Sequence, residues 1–272
     1  MKILFFGDIT GKSGRGAVAA LLPKLREAEK PDLVIANIEN AAHGKGVTKK
    51  IFLSLLEVGI DFFTSGNHIY SKPEAAEVLK EYPDKIIRPA NFADSLPGLG
   101  SARIEANGIP VLMLNLNGTV FMETQFDESP LSNPFLKLDE ILENEGETAK
   151  IKILDFHAEA TSEKRAMGFF CDGRISAVLG THTHVQSNDA QILPKGTGYL
   201  TDLGMVGARD SVIGVKKESV LRRFEQGEGT EAQKKAVLEI DESEQYEAGY
   251  ALIEIDEETG KCQNIFSKVE YN

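Results

Sequence analysis

Four of the five histidines in this chain come shortly after apolar segments that are predicted to be β-strands: His68, His157, His182 and His184. Taken singly, each would be interpreted as an ordinary turn or surface residue. Taken together, they concentrate imidazole groups at strand ends, and imidazole both binds metals and transfers protons near neutral pH. The fifth, His43, lies in a glycine-rich loop and is given no role: we expect it to contact a backbone carbonyl, although a substrate contact stays open.

Carboxylate and amide side chains occupy equivalent places after other predicted strands. Asp8 follows the first strand, Glu39 and Asn40 follow the second, and Asn67 directly precedes His68. Asp and Asn are also common turn formers, so each one alone is weak evidence. Because ligands of α/β sheets collect at the carboxyl ends of strands, five strand ends are expected to deliver these groups to one rim.

The combined donor set contains carboxylates, amides and imidazoles but no thiolate. Such a set suits iron, manganese or zinc rather than copper(I) or an iron–sulfur cluster. These candidate ligands exceed the needs of one tetrahedral ion. They fit two ions about 3.5–4 Å apart that share a bridging carboxylate, an arrangement common in phosphatases and nucleases.

The elements that must position these residues alternate between strands and helices in the first half of the chain. Apolar runs predict strands at 2–6, 32–37 and 61–65. Helical spacing predicts helices at 17–29, at 48–57 with a Thr48 cap, and from Ser71 or Pro73 to about Glu81. Pro23 predicts a kink or a late start in the first helix.

The second half is predicted to be richer in strands. Asn107-Gly108 predicts a tight hairpin between strands at 101–106 and 109–116, and 118–133 is expected to be a loop or insertion. The remaining predicted elements are helices at 133–142, 162–171 and 215–224, strands at 151–156 and 177–179, and a late hairpin turn at 256–260. The pattern predicts one α/β domain over 1–272, with two packed sheets and flanking helices.

Composition excludes several classes of protein. The net charge is −12, and residues 225–258 carry −10 of it, which argues against capture of nucleic acid by a basic surface. The longest apolar run has six residues and is too short for a membrane span. Gly7-Asp8 interrupts the apolar N-terminus, so no signal peptide is expected. Two cysteines without a CxxC motif are typical of a reducing cytoplasm. Exposed late strands leave homo-oligomerisation open.

One motif near the N-terminus imitates a phosphate-binding P-loop. In that motif four residues separate the first glycine from Gly-Lys-Ser/Thr. Here only three residues separate Gly7 from Gly11-Lys12-Ser13. We therefore do not expect ATP binding, although contact of Lys12 or Arg15 with a substrate phosphate stays open.

Taken in order along the chain, these motifs resemble those of a known family. Gly7-Asp8-x-Thr10, Glu39-Asn40, Gly66-Asn67-His68, His157 and Thr181-His182-Thr183-His184 follow the signature of the calcineurin-like metallophosphoesterases. The stretch 38–46 is most similar to the YmdB-like branch, the 2′,3′-cyclic-nucleotide 2′-phosphodiesterases. The resemblance implies a four-layer α/β/β/α sandwich of two mixed sheets flanked by helices.

The resemblance also implies a set of roles. Asp8, Glu39, Asn40 and His184 would hold a first metal, and Glu39, Asn67, His157 and His182 a second. His68 would be a general acid rather than a ligand. The superfamily usually has a metal-binding histidine where Thr10 stands, and Asn40 would replace it, which favours iron or manganese.

The function that follows is dinuclear metal-dependent hydrolysis of nucleoside 2′,3′-cyclic monophosphates to 3′-monophosphates. A metal-bridging hydroxide would attack phosphorus while His68 protonates the leaving oxygen. Two alternatives stay open at this point. One is another metallophosphoesterase activity, on RNA ends or a phosphomonoester, and the other is a metal-binding regulatory protein without significant turnover.

Overall fold

The computed structural model describes residues 1–122, 131–225 and 237–272. Its helices are α1 Gly11–Glu29, α2 Lys49–Val58, α3 Ala75–Glu81, α4 Pro134–Glu145, α5 Thr161–Cys171 and α6 Lys217–Glu225, with 3₁₀ turns at Ile69–Ser71 and Gly146–Thr148. Its strands are β1 Lys2–Ile9, β2 Leu33–Asn37, β3 Phe62–Thr64, β4 Ser101–Ala106, β5 Ile109–Asn117, β6 Ile151–His157, β7 Ala177–Thr181, β8 Gln191–Ile192, β9 Gly198–Leu200, β10 Met205–Ala208, β11 Ser211–Val212, β12 Val215–Lys216, β13 Tyr246–Ile255 and β14 Cys262–Tyr271.

Two six-stranded mixed sheets form the centre of the fold. The first has the order β14-β13-β10-β1-β2-β3, and the second has the order β4-β5-β6-β7-β9-β8. Strands β1, β2 and β3 run parallel, as do β5, β6, β7 and β9. Each sheet therefore gathers several carboxyl ends at one edge, where loop residues can meet.

The alternation of side chains along the strands explains the layers. In β1, Ile3 and Phe5 belong to the cluster between the sheets, which also contains Met113 of the second sheet. Leu4 and Phe6 point the other way, into the cluster that the first sheet forms with α1, α2 and α3. A third cluster packs α4 and α5 on the second sheet. The predicted α/β/β/α sandwich is confirmed.

Two predicted boundaries near the N-terminus are wrong. Strand β1 continues through Gly7-Asp8 instead of ending at the predicted residue 6, because Asp8 still pairs with β2 and with β10. Helix α1 begins at Gly11 rather than Ala17 and contains Pro23 in its interior. Its first turn carries no apolar periodicity, so the sequence pattern could not reveal it.

Other local predictions are confirmed. Thr48 caps α2 by accepting from the Ile51 amide, and Asn133 caps α4 by accepting from the Phe135 amide. Asn107 and Gly108 form the two-residue turn between β4 and β5. The predicted loop at 118–133 lies partly outside the described residues, as does part of the acidic segment 225–258. Within the described ranges, no helix is both long and apolar enough to cross a membrane.

Candidate metal centre

All of the predicted site residues lie at the carboxyl edges of the two sheets. The first sheet supplies Asp8 from within β1, Glu39 and Asn40 from the loop after β2, and Asn67 and His68 from the loop after β3. The second sheet supplies His157, the last residue of β6, and His182 and His184 from the loop after β7. The packing of the sheets brings these two groups of residues face to face.

The side chains of Glu39, Asn67 and His182 meet at one ring nitrogen of His157. We call these four residues the inner cluster. The His157 Nε2 atom lies 3.2 Å from Glu39 Oε1, 3.0 Å from Asn67 Oδ1 and 3.1 Å from His182 Nδ1. Potential ligand atoms of Glu39, His157 and His182 all lie within 4.8 Å of one another. Carboxylate, amide and imidazole atoms this close together are spaced to bind one cation.

The remaining three predicted ligands, Asp8, Asn40 and His184, form a second group, which we call the outer cluster. The Asn40 Nδ2 atom lies 3.1 Å from His184 Nε2 and 3.1 Å from Glu39 Oε1, so Glu39 contacts both clusters. Asp8 accepts the His182 backbone amide at Oδ2. Among the described residues, the buried atoms Asp8 Oδ1 and Asn40 Oδ1 have no hydrogen-bond partner. A buried oxygen without a partner is unfavourable unless a cation or water meets it.

A hydrogen-bonded relay supports the His157 ring, and sequence reasoning missed it. The Thr181 hydroxyl donates to Asp155 Oδ1 at 2.7 Å and lies 2.8 Å from His157 Nδ1. Because that hydroxyl proton is committed to Asp155, the hydroxyl oxygen accepts from His157 Nδ1–H, which leaves Nε2 free to bind a cation. A buried acid two residues before His157 in the same strand was the available signal.

The loop that carries His182 and His184 has an unusual backbone and a strong anchor. Both histidines have positive φ, at 101° and 65°, which non-glycine residues rarely adopt. Lys164 on α5, which is fully buried, donates to the Thr181 carbonyl and to Asp202, and Asp202 accepts the Thr183 amide. The buried ion pair therefore holds the loop in the conformation that aims both imidazoles at the site.

Gly66 allows the close approach of the two sheets at this point. A Cβ atom on Gly66 would lie 2.3 Å from the His157 ring and 2.4 Å from Glu39 Oε2. Any side chain here would occupy the space between two members of the inner cluster. The glycine of the Gly66-Asn67-His68 motif is therefore a packing requirement of the site.

The electrostatics of the site favour positive charge between its carboxylates. Burial raises the pKa of Asp8 to about 6. Burial also acts to raise the pKa of Glu39, but the adjacent His157 outweighs it and holds that pKa at about 2. For His157, burial is outweighed by the carboxylates and the pKa rises to about 9, whereas burial lowers the pKa of His182 to about 3. A cation would replace the His157 proton, since ligation requires neutral imidazole.

His68 lies beside the clusters rather than within them. Its backbone amide donates to Glu39 Oε2 at 2.8 Å, and burial lowers the pKa of its imidazole. It lines a cavity of about 280 Å³ together with Glu39, His182 and Glu159. The Glu159 carboxylate lies 3.1 Å from His182 Nε2, a contact that no motif in the sequence indicates. The cavity is where a ligand would meet the clusters.

Three residues that the sequence left open lie elsewhere. His43 is largely exposed, and its Nδ1 atom contacts the Glu242 carboxylate at 3.2 Å rather than the backbone carbonyl we expected. Lys12 and Arg15 line a different cavity beside α1. Only Thr10 separates β1 from α1, so the P-loop-like segment contains no loop that could surround a phosphate.

A family model described as YmdB-like protein matches residues 4–267. The chain belongs to the YmdB-like family. A 2′,3′-cyclic-nucleotide 2′-phosphodiesterase of Bacillus subtilis is 47% identical to this YmdB-like protein over 224 residues, which are 82% of each chain. The predicted resemblance is thus confirmed.

Solved structures of two relatives share the fold over essentially the whole chain. A hypothetical protein from Thermus thermophilus has a TM-score of 0.88 at 38% identity, covering 100% of this YmdB-like protein and 99% of its own chain. A novel phosphatase from Mycoplasma pneumoniae has a TM-score of 0.89 at 34% identity, covering 100% and 93%. The architecture is therefore that of a family with phosphoric ester hydrolases among its members.

Proposed function

We propose that this YmdB-like protein is a dinuclear metal-dependent phosphodiesterase that hydrolyses nucleoside 2′,3′-cyclic monophosphates. The observation that carries the proposal is the meeting of Glu39, Asn67 and His182 at His157 Nε2, directly beside the outer cluster. The 47% identity to a bacterial 2′,3′-cyclic-nucleotide 2′-phosphodiesterase supports the substrate class.

The residues present fit a pair of metal ions. Glu39, Asn67, His157 and His182 would hold one ion, and Asp8, Asn40 and His184 would hold the other with Glu39 shared. The two unpartnered oxygens of the outer cluster support this assignment, because a cation would satisfy both. When bound, the ions would supply a nucleophilic water of lowered pKa and would neutralise charge on the phosphoryl oxygens.

The chain's own contribution is to orient the substrate and to move one proton. Hydrolysis forms a bond from water oxygen to phosphorus, breaks the bond from phosphorus to O2′, and adds a proton to O2′. The product is a nucleoside 3′-monophosphate. His68 lines the cavity without belonging to either cluster, which supports the proposal that its imidazolium form gives that proton.

The donor set favours iron, with manganese as the alternative. The outer cluster would offer oxygen from Asn40, where a histidine would offer nitrogen, and harder ligands favour these metals.

A reducing cytoplasm is the compartment we propose, since Cys171 and Cys262 are both free and buried.

The decisive test is turnover of adenosine 2′,3′-cyclic monophosphate by protein loaded with iron(II) without oxygen, or with manganese. Chromatography against both isomers should show adenosine 3′-monophosphate as the product. The panel should include a simple phosphomonoester and RNA with phosphorylated ends. Turnover confined to those substrates would assign a different phosphoesterase activity. No turnover at all by fully loaded protein would favour a regulatory role.

The His68→Ala variant tests the proposed proton donor. Its kcat should fall by about 10²–10⁴-fold, because the leaving alkoxide needs a proton, while its metal content stays near that of the parent. On bis(p-nitrophenyl) phosphate the defect should shrink, since nitrophenolate leaves without protonation. Loss of one ion, or equal defects on both substrates, would make His68 a ligand or positioning residue instead.

A further inference from the structure

Two hairpins in this chain share the same two-residue turn geometry but differ in sequence. In the β4–β5 hairpin, Asn107 and Gly108 have φ of 51° and 81°. In the β11–β12 hairpin, Ile213 and Gly214 have φ of 48° and 92°. Positive φ at both central positions is typical of the type I′ turn, which strongly prefers Asn-Gly or Asp-Gly. Asn107-Gly108 follows that preference, and Ile213-Gly214 departs from it.

Isoleucine is among the least suitable residues for this position. Its branched Cβ crowds the backbone when φ is positive, so its presence there is a genuine outlier. Strained residues of this kind are found mainly where a function requires them. The turn itself is firmly seated, because a Cβ atom on Gly214 would lie 2.5 Å from the methyl group of Thr10.

The backbone of Ile213 contributes to the site, but its side chain is not needed for that contribution. The Ile213 carbonyl accepts from His184 Nδ1 at 3.1 Å, which leaves His184 Nε2 directed at Asn40. Any residue with the same φ, including asparagine, would present the same carbonyl. The His184 contact therefore does not account for a branched apolar side chain in this turn, and we look for the reason in what the side chain itself contacts.

The cavity beside the inner and outer clusters is the surface to which the Ile213 side chain contributes. Ile213 lines it and is 51% exposed. The other described residues of the lining are polar, charged or glycine, so Ile213 is the single apolar side chain among the described residues of the cavity wall. A cyclic nucleotide has one large, weakly polar part, the face of its base, and the polar lining suits its phosphate and ribose.

We propose that Ile213 is the substrate-contact residue against which the nucleobase packs, so that its side chain sets the preference for nucleoside phosphodiesters over simpler ones. The inference rests on the proposed function. The strained turn holds the isoleucine beside the clusters, and the His184 contact fixes its distance from them. A base on this surface places the ribose phosphate over the inner and outer clusters.

The test compares two five-membered cyclic phosphodiesters on manganese-loaded protein. One is adenosine 2′,3′-cyclic monophosphate, and the other is glycerol 1,2-cyclic phosphate, which has no base. The measured quantity is the ratio of their kcat/KM values. Ile213→Asn should lower this ratio by about tenfold, because the apolar contact is lost, and Ile213→Leu should largely preserve it. Ile213→Asn should also raise Tm by about 2–4 °C, because asparagine suits positive φ.

The matched control is Asn107→Ile in the other hairpin. It should lower Tm by at least a similar amount, since it also removes the Asn107 hydrogen bond to Asp32, without changing the ratio, because that turn lies away from the cavity. An unchanged ratio for Ile213→Asn would overturn the inference while leaving the proposed function intact. Equal losses on both substrates would also overturn it, because the residue would then act only through His184. If the parent hydrolyses neither substrate, the proposed function itself fails.

Discussion

The two ligand clusters are built in different ways although they share Glu39. The inner cluster centres on His157, a fully buried strand residue, and its supporting partners Thr181 and Asp155 are also fully buried. The outer cluster also has one strand residue, Asp8, but the ring of its His184 is held by the carbonyl of Ile213 at a hairpin turn. The inner cluster thus has a buried side-chain relay, and the outer cluster has a backbone contact near the surface.

This difference predicts that the two clusters bind their metal ions with different affinities. Buried partners that satisfy one another fix a ligand within narrow limits, whereas a turn near the surface can shift at little cost. We therefore expect the inner ion to be bound more tightly and the outer ion to exchange more readily. The carboxylate shared by the clusters is the point at which they become dependent on each other.

The largest effect is expected for Glu39→Gln. Removing the charge shared by both clusters should weaken both ions together and reduce kcat by at least about 10²-fold. The metal content measured by elemental analysis should fall from near two ions per chain towards none. Glu159→Gln is the matched control, because it neutralises a half-exposed carboxylate of the same cavity, and it should retain most of the metal. A Glu39→Gln variant that keeps two ions and full activity would contradict the bridging role.

Separate removal of one ligand from each cluster tests their independence. His157→Ala should strip the inner ion and lower the stability of the fold, since it empties a fully buried position. His184→Ala should lose only the outer ion and leave the melting temperature of the chelated protein nearly unchanged. Metal content and thermal unfolding, measured in parallel, would distinguish them. If both variants lose both ions equally, the clusters are one cooperative site.

The next effect in size concerns the relay behind His157. Thr181→Val keeps the shape of the side chain but removes the hydroxyl that joins Asp155 to the imidazole. Affinity for the inner ion should fall by about 10–100-fold, a typical effect of losing a partner behind a ligand. Thr181→Ser retains the hydroxyl and should restore binding in competition titrations with a chelator. Equal weakening by both substitutions would assign Thr181 to packing alone.

The smallest effect is expected for Lys12→Ala. Lys12 lines the cavity beside α1, away from both clusters, so cyclic nucleotide turnover and metal content should stay near the parent values. Calorimetry should detect no ATP binding to either protein. ATP binding that this substitution abolishes would revive the P-loop interpretation.

Much of the fold could be predicted because its signals are local. The apolar runs at β2 and β6 and the helical spacing of α2 identify elements without reference to distant residues. The errors at β1 and α1 arise where distant contacts decide. Asp8 extends β1 by pairing with Asn37 and Met205, and Gly14 lets the first turn of α1 approach β10, since a Cβ there would lie 2.1 Å from the Val206 carbonyl oxygen.

The candidate ligands could also be identified from the sequence, because their residue types and their places after strands carry the signal. Their supporting contacts could not. Thr181 lies 24 residues from His157, and Ile213 lies 29 residues from His184. Asp155 is a local signal of polar support behind His157, but neither local sequence identifies Thr181 or Ile213 as the partner, since both contacts depend on how β7 and the β11–β12 hairpin pack in three dimensions. The strained φ at Ile213 is likewise visible only in the backbone.

The division of the ligands between two sheets has a consequence for the order of events in folding. The contacts that assemble the inner cluster join residues 90 positions apart, Asn67 and His157, and the Asp8 contact to His182 spans 174 positions. Contacts of such sequence separation form late, because closing long loops costs entropy before it is rewarded. A chain whose two sheets have not docked can bring together only ligands of the same sheet, such as His157 with His182. Tight metal binding would therefore report that the two sheets have docked, and we expect the ion to bind as a final step of maturation rather than to template the fold.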